Sequence, residues 1–277
     1  MRVDSGGESG DKAGVFRRHV LYIPGYDPFP PRRYRELYRT EGAAQAAISG
    51  YRLAITPRAG ETYGWRVSSE MDGQVVEAEV EVLVWSDLVK GSMGRGIAGT
   101  YAQMLRTAWL YLRSGALSRL IRLRKGPMIA ALYPVVLLVG QALVAALVAG
   151  LVLWLLPVTW GWLVGLAAAW AVLEGFRRID HRLFVYYLMH DYAFTTVAGG
   201  AYPAVLETRL AVFRARVRSA LASGVDEVLV VGHSSGVHLG VSVLADLIRE
   251  GVREGPALGF LSLGQAVPMV SYLPGAA

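Results

Sequence analysis

Residues 226 to 248 read DEVLVVGHSSGVHLGVSVLADLI, and within them Gly232-His233-Ser234-Ser235-Gly236 has the types and spacing for covalent chemistry. A serine with glycine two positions away on each side can be lifted onto a sharp turn, its hydroxyl free to attack a carbonyl. The five-residue pattern is weak by itself, because a tight turn that happens to hold serine satisfies it equally. The setting strengthens it. Val228, Leu229, Val230 and Val231 form a short apolar run between acids and a glycine, which reads as a buried parallel strand. After the turn, Val237, Val241, Leu244 and Ile248 recur at helical spacing, with Leu239, Val243 and Leu247 beside them. Ser234 is thus expected at the apex of a strand–turn–helix corner, with the first amides of the helix pointing the same way.

This corner resembles the nucleophile elbow of the α/β-hydrolase superfamily, in the form found in esterases and lipases. A second stretch carries the resemblance: His19-Val-Leu-Tyr-Ile-Pro-Gly-Tyr-Asp-Pro-Phe-Pro reads as a strand from Val20 to Ile23 entering a turn at Pro24 and Gly25. The likeness covers about residues 19 to 87 and 203 to 274. It implies an α/β fold with a doubly wound, mostly parallel sheet, and a serine hydrolase that forms an acyl-enzyme at Ser234. The backbone N–H groups of Ser235 and Tyr26 would be its oxyanion hole. Where many members carry a His-Gly pair this chain has Ile-Pro-Gly-Tyr, and Pro-Gly is also a plain turn former.

The family's chain order, Ser then Asp or Glu then His, is not met. After Ser234 the one histidine is His238, four residues along the elbow helix, a position that faces the interior or the sheet. Three readings follow: the chain is a fragment of a longer protein, the base comes from elsewhere, or there is no catalysis. The first is the expectation, with His190, followed by Asp191, as the alternative base. His181 beside Asp180 reads as structural, and His233 as a residue that orients the loop. The five histidines are scattered and cysteine is absent, so no metal or cofactor constellation is visible.

The elements that must position these residues are interrupted by a long apolar stretch. Pro127 to Leu173 contains no charged residue, too long for one membrane span and suited to two of roughly 20 residues each. The sequence predicts a hairpin over residues 127–176, with spans near 128–156 and 158–175, a break at Pro157, and Trp154, Trp160 and Trp162 at the membrane–water boundary. Arg106, Arg113, Arg119, Arg122, Arg124 and Lys125 precede it, and Arg177, Arg178 and Arg182 follow it. Basic residues on both outer flanks place both ends in the cytoplasm. Residues 97–126 read as one basic amphipathic helix suited to anionic headgroups, with Met104, Leu105, Trp109, Leu112, Leu120 and Leu123 on its apolar faces.

Around that insert, residues 18–96 and 177–277 form the two parts of one cytoplasmic domain, after a Gly-, Ser- and Asp-rich tail over residues 1–17 that is expected to be disordered. The tail lacks the apolar core of a signal peptide. Helices are predicted over residues 32–48 and 202–221, and strands over 51–56, 63–69, 75–85 and 257–264. The acids Glu77, Glu79 and Glu81 alternate with apolar residues, so the 75–85 strand is placed half exposed near a sheet edge. The net charge of +6 abuts the apolar stretch without any nucleic-acid motif, and only three of the 28 basic residues are lysine, the bias of a GC-rich bacterium. The expectation is a membrane-anchored serine hydrolase of the bacterial inner membrane, acting on an ester or thioester. A lipid-like substrate is expected because the hairpin leaves the sheet on the side of Ser234; the competing reading is a plain anchor with Ser234 open to the cytosol. The alternative is a hydrolase-like binding or scaffolding protein without turnover.

Overall fold

A computed structural model describes residues 15–60, 62–123, 125–156, 159–251 and 255–276. Among these the chain is α/β, with a six-stranded sheet and eleven helices. β1 (Phe16–Ile23) starts two residues inside the stretch expected to be a disordered tail; residues 1–14 lie outside the described part. α1 (Arg32–Ser49) follows Pro31 and ends at Gly50. β2 (Arg52–Pro57), β3 (Gly64–Met71) and β4 (Gln74–Val82) come next. Asp72 and Gly73 join β3 to β4 with φ of 51° and 77°, the two-residue hairpin turn whose twist matches that of the strands.

The sheet order is β2-β3-β4-β1-β5-β6, where β5 is Glu227–His233 and β6 is Ala257–Leu263. β1 runs parallel to β4 and β5, and β5 to β6, while β3 is antiparallel to both its neighbours, so the sheet is mixed. In register, Ile23 lies opposite Gly232 and His233 opposite Leu263, which brings the carboxyl ends of β1, β5 and β6 level.

Two expectations about β4 are corrected. It ends at Val82, not Trp85, and it lies inside the sheet between β3 and β1, not near an edge. Two of its alternating acids, Glu79 and Glu81, are matched by cations from distant segments. Glu81 has no exposed surface; Arg216 donates to both its oxygens at 2.7 and 2.8 Å, and Arg58 reaches it at 3.4 Å. Arg58 also pairs with Glu79. A charged strand can therefore be central once its charges are paired.

Side chains alternate across β1. Leu21 and Ile23 join Val228 and Val230 of β5 under α9 (Ala204–Leu221) and α10 (Ser235–Arg249), while Val20 and Tyr22 join Trp65 and Val80 with Tyr34 of α1. Helices thus cover both faces. Between β4 and α9 the chain forms α2 (Ser86–Ser92), α3 (Gly96–Arg113), α4 (Ala116–Ile121), α5 (Lys125–Leu155), α6 (Gly161–Arg178), α7 (Asp180–Leu183) and α8 (Val185–Thr196), and α11 (Val267–Ser271) follows β6. The single amphipathic helix expected over residues 97–126 is two, broken at Gly115 with φ 72°. α3 buries Met104 and Tyr111 and exposes Leu105, Trp109 and Leu112 on its other side.

α3, α4, α5, α8 and α11 share a second core built on Leu138, Val185, Met189 and Met269. Among the described residues one helix, Met128–Leu155 within α5, is long and apolar enough to cross a membrane, and little of it is buried inside the molecule. α6 packs along it closely enough that a Cβ on Gly165 would lie 3.4 Å from the Ala149 carbonyl. α6 is apolar to Leu173 and then carries Glu174, Arg177 and Arg178. The expected break at Pro157 lies outside the described residues.

Pro134 sits inside α5. Proline has no N–H, so the carbonyl four residues earlier, Ala130, loses its helical donor. The Tyr192 hydroxyl of α8 supplies one at 2.7 Å.

Candidate active site

The apex of the β5–α10 corner is Ser234, at φ 52° and ψ −120°. A side-chain-bearing residue adopts that conformation only where its surroundings impose it, at a cost of about 1–3 kcal/mol. Three constraints impose it here. The Ser234 amide donates to the Leu263 carbonyl at 2.8 Å, which ties the turn to the end of β6. A Cβ on Gly232 would stand 2.7 Å from the Val237 Cα, so the helix folds back onto the strand it leaves. A Cβ on Gly236 would stand 2.3 Å from the Ile23 carbonyl oxygen and 2.5 Å from that of Pro24, so α10 presses on the end of β1. The two glycines of the motif are required by contact, as the sequence implies.

The turn after β1 meets this apex. A Cβ on Gly25 would come within 3.1 Å of the Ser234 Cβ. Trp85 Nε1 donates to the Pro24 carbonyl at 2.9 Å, and the Tyr187 hydroxyl donates to the Tyr26 carbonyl. Tyr26 itself is buried, its hydroxyl 2.5 Å from Ser92 Oγ. Among the described residues the Tyr26 and Ser235 amides have no hydrogen-bond acceptor. Two amides on adjoining turns are thus left beside the serine, one of them opening α10, where the helix dipole favours negative charge. α1 and α10 leave neighbouring strands toward opposite faces of the sheet, which makes this the crevice where open α/β sheets bind ligands.

A cavity of about 460 Å³ opens at Ser234. Ile129, Ala130 and Tyr133 of α5 form one wall, and Leu188 and Asp191 of α8 another. A larger cavity of about 570 Å³ lies against the amino-terminal part of β1, lined by Arg17, Arg18, Arg66, Glu77 and Glu79, and does not touch the elbow. Position relative to Ser234, and not size, selects the first.

No family model matches the chain, and neither a curated protein nor a solved structure does. The chemistry of the site therefore rests on its geometry.

The histidines are placed as follows. His190 Nδ1 lies 2.8 Å from Gln103 Oε1 of α3, so Nδ1 carries the proton and donates; burial lowers its pKa, and it does not line the Ser234 cavity. His238 is buried against the Tyr202 ring with centroids 5.8 Å apart, and the Tyr202 hydroxyl is 3.0 Å from its Nδ1. Burial drives its pKa down to about 4, so it packs as a neutral ring, as expected. His181 contacts the Arg178 carbonyl, while the neighbouring Asp180 accepts the amides of Val185, Tyr186 and Tyr187 and so caps α8.

That cap helps fix the residue which sequence reasoning named only as the neighbour of His190. Asp191 is 6% exposed, and Ser235 Oγ donates to it, 2.9 and 2.8 Å from its two oxygens. Burial pushes its carboxyl up to about 7, only partly offset by the Ser235 hydrogen bond. The available signal was an acid in the otherwise apolar and aromatic run Phe184 to Phe194, where a charge needs a purpose.

Proposed function

We propose that the protein is a membrane-anchored serine hydrolase that cleaves an ester or thioester through an acyl-enzyme at Ser234. The observation that carries this reading is the backbone of Ser234, held at φ 52° and ψ −120° on a strand-to-helix apex. The amides of Ser235 and Tyr26 would receive the charge that develops on the carbonyl oxygen, each worth roughly 3–4 kcal/mol of barrier. The α5 wall of the cavity supports a substrate with a long acyl chain, since the same helix carries the apolar surface suited to a bilayer. α5 and α6 together would form the membrane hairpin, with both parts of the α/β domain in the cytoplasm.

One observation favours a second reading, a binding or scaffolding protein without turnover: among the described residues no histidine lines the Ser234 cavity. A fluorophosphonate probe separates the two. On the full chain in liposomes, labelling is expected to be abolished by Ser234→Ala. Equal labelling of this variant and the wild type, or no labelling of either, defeats the hydrolase.

A further inference from the structure

The Ser234 cavity contains one more group able to move a proton. Asp191 reaches it from α8, and its carboxyl is held by a single hydroxyl, that of Ser235, which has one proton to share between two oxygens. The titratable groups around it are tyrosines: Tyr26 after β1, Tyr111 of α3, and Tyr187 and Tyr192 of α8, with Tyr133 of α5 on the cavity wall. Among the described residues no arginine, lysine or histidine forms an ion pair with it. The adjacent His190 is turned to Gln103.

A buried carboxylate kept only for structure is normally surrounded by donors or paired with a cation, as Glu81 is in this same molecule. Asp191 has neither. Its position suits a base: it lines the same cavity as Ser234, and it contacts the residue immediately after the nucleophile. Its burial keeps the proton affinity near neutrality, where a general base is most effective.

Resting on the reading of Ser234 as nucleophile, we propose that Asp191 is the proton acceptor of the reaction. Ser234 Oγ bonds to the carbonyl carbon, its proton passes to the Asp191 carboxylate, and the carbonyl π pair moves onto oxygen. When the tetrahedral species collapses, the bond to the alcohol or thiol breaks and that group leaves with the proton from Asp191. Water then attacks the acyl-enzyme, again yielding its proton to Asp191, and Ser234 regains a proton as the acid departs. Water is the only co-reactant.

A structural alternative, in which Asp191 merely fastens α10 to α8 through Ser235, makes different predictions. Asp191→Asn keeps an acceptor oxygen for Ser235 and removes the base. The rate of fluorophosphonate labelling at Ser234 is measured from pH 5 to 9 on the full chain in liposomes. In the wild type the rate should rise with pH and level off above about 7. In Asp191→Asn it should fall by about 100-fold or more at pH 8 and lose that inflection. Ser235→Ala removes the donor that favours the carboxylate, so its inflection should move to higher pH. This second variant decides the matter if Asp191→Asn does not fold. A wild-type rate and profile in Asp191→Asn, or an unmoved inflection in Ser235→Ala, overturns the assignment while leaving Ser234 as nucleophile. Absence of labelling in the wild type at every pH overturns the nucleophile and this proposal together.

Discussion

Two buried carboxyls in this molecule answer pH in opposite directions. Burial alone would raise the pKa of Glu81, but the His19 ring 3.6 Å away, the hydrogen bonds from Arg216 and the charges of Arg216 and Arg58 outweigh it and hold it down to about 2. Because the folded value lies below the unfolded one, Glu81 stabilises the fold above its ordinary value of 4.5, and that stabilisation is lost as pH falls toward 2. Asp191 is raised from 3.8 to about 7, so the folded state binds its proton more tightly than the unfolded state. Its contribution is therefore fully present below pH 3.8 and is lost as pH rises through 7. The amount is on the order of 4 kcal/mol. Thermal unfolding in detergent should show a decline between pH 4 and 7 in the wild type that is absent in Asp191→Asn. An identical decline in both would mean that Asp191 titrates normally. Glu81 was placed wrongly by sequence reasoning and Asp191 was passed over for one reason. A residue's neighbours in sequence do not reveal that an arginine 135 positions away will pair with it, or that no cation will.

At the scale of elements, the corner around Ser234 was legible because its determinants are local. A β-branched run, two glycines and an amphipathic run specify strand, turn and helix without reference to anything distant. The hairpin at Asp72-Gly73 was legible for the same reason. What could not be read was how α5 joins α8. Pro134 leaves the Ala130 carbonyl without a helical donor, and Tyr192 supplies it from a helix 62 residues away. Tyr192→Phe should therefore destabilise the protein by about 0.5–1.5 kcal/mol, the net worth of one hydrogen bond. Pro134→Ala restores an amide to that carbonyl, so the double variant should recover most of the loss. A double-mutant cycle on unfolding in detergent measures this directly; additive effects would show that the two residues are not coupled.

For the molecule as a whole, helix length is informative. The apolar segment Met128–Leu155 has 28 residues, or about 42 Å of helix, against a hydrocarbon thickness of about 30 Å. The excess is about two turns. The first two turns hold Ile129, Ala130 and Tyr133, which line the cavity at Ser234, and Leu147 and Trp154 farther along are 72% and 76% exposed. In the proposed arrangement the hairpin stands in the bilayer and the α/β domain sits at its cytoplasmic surface. Reporter fusions at residue 157 and at the C-terminus should then lie on opposite sides of the membrane, with the C-terminus cytoplasmic. A periplasmic C-terminus would refute this topology.

On the proposed reading, a helix that is at once bilayer-facing surface and cavity wall changes the dimension in which the protein meets its substrate. A molecule carried along α5 arrives by lateral diffusion within a sheet of lipid, so encounters are set by its mole fraction among the lipids and not by its amount per litre. With substrate and protein held in mixed vesicles, adding inert lipid at fixed bulk substrate should slow turnover in proportion to the dilution, while diluting the whole suspension with buffer should leave the rate per protein unchanged. A rate that instead follows bulk concentration would mean that Ser234 draws its substrate from the cytosol.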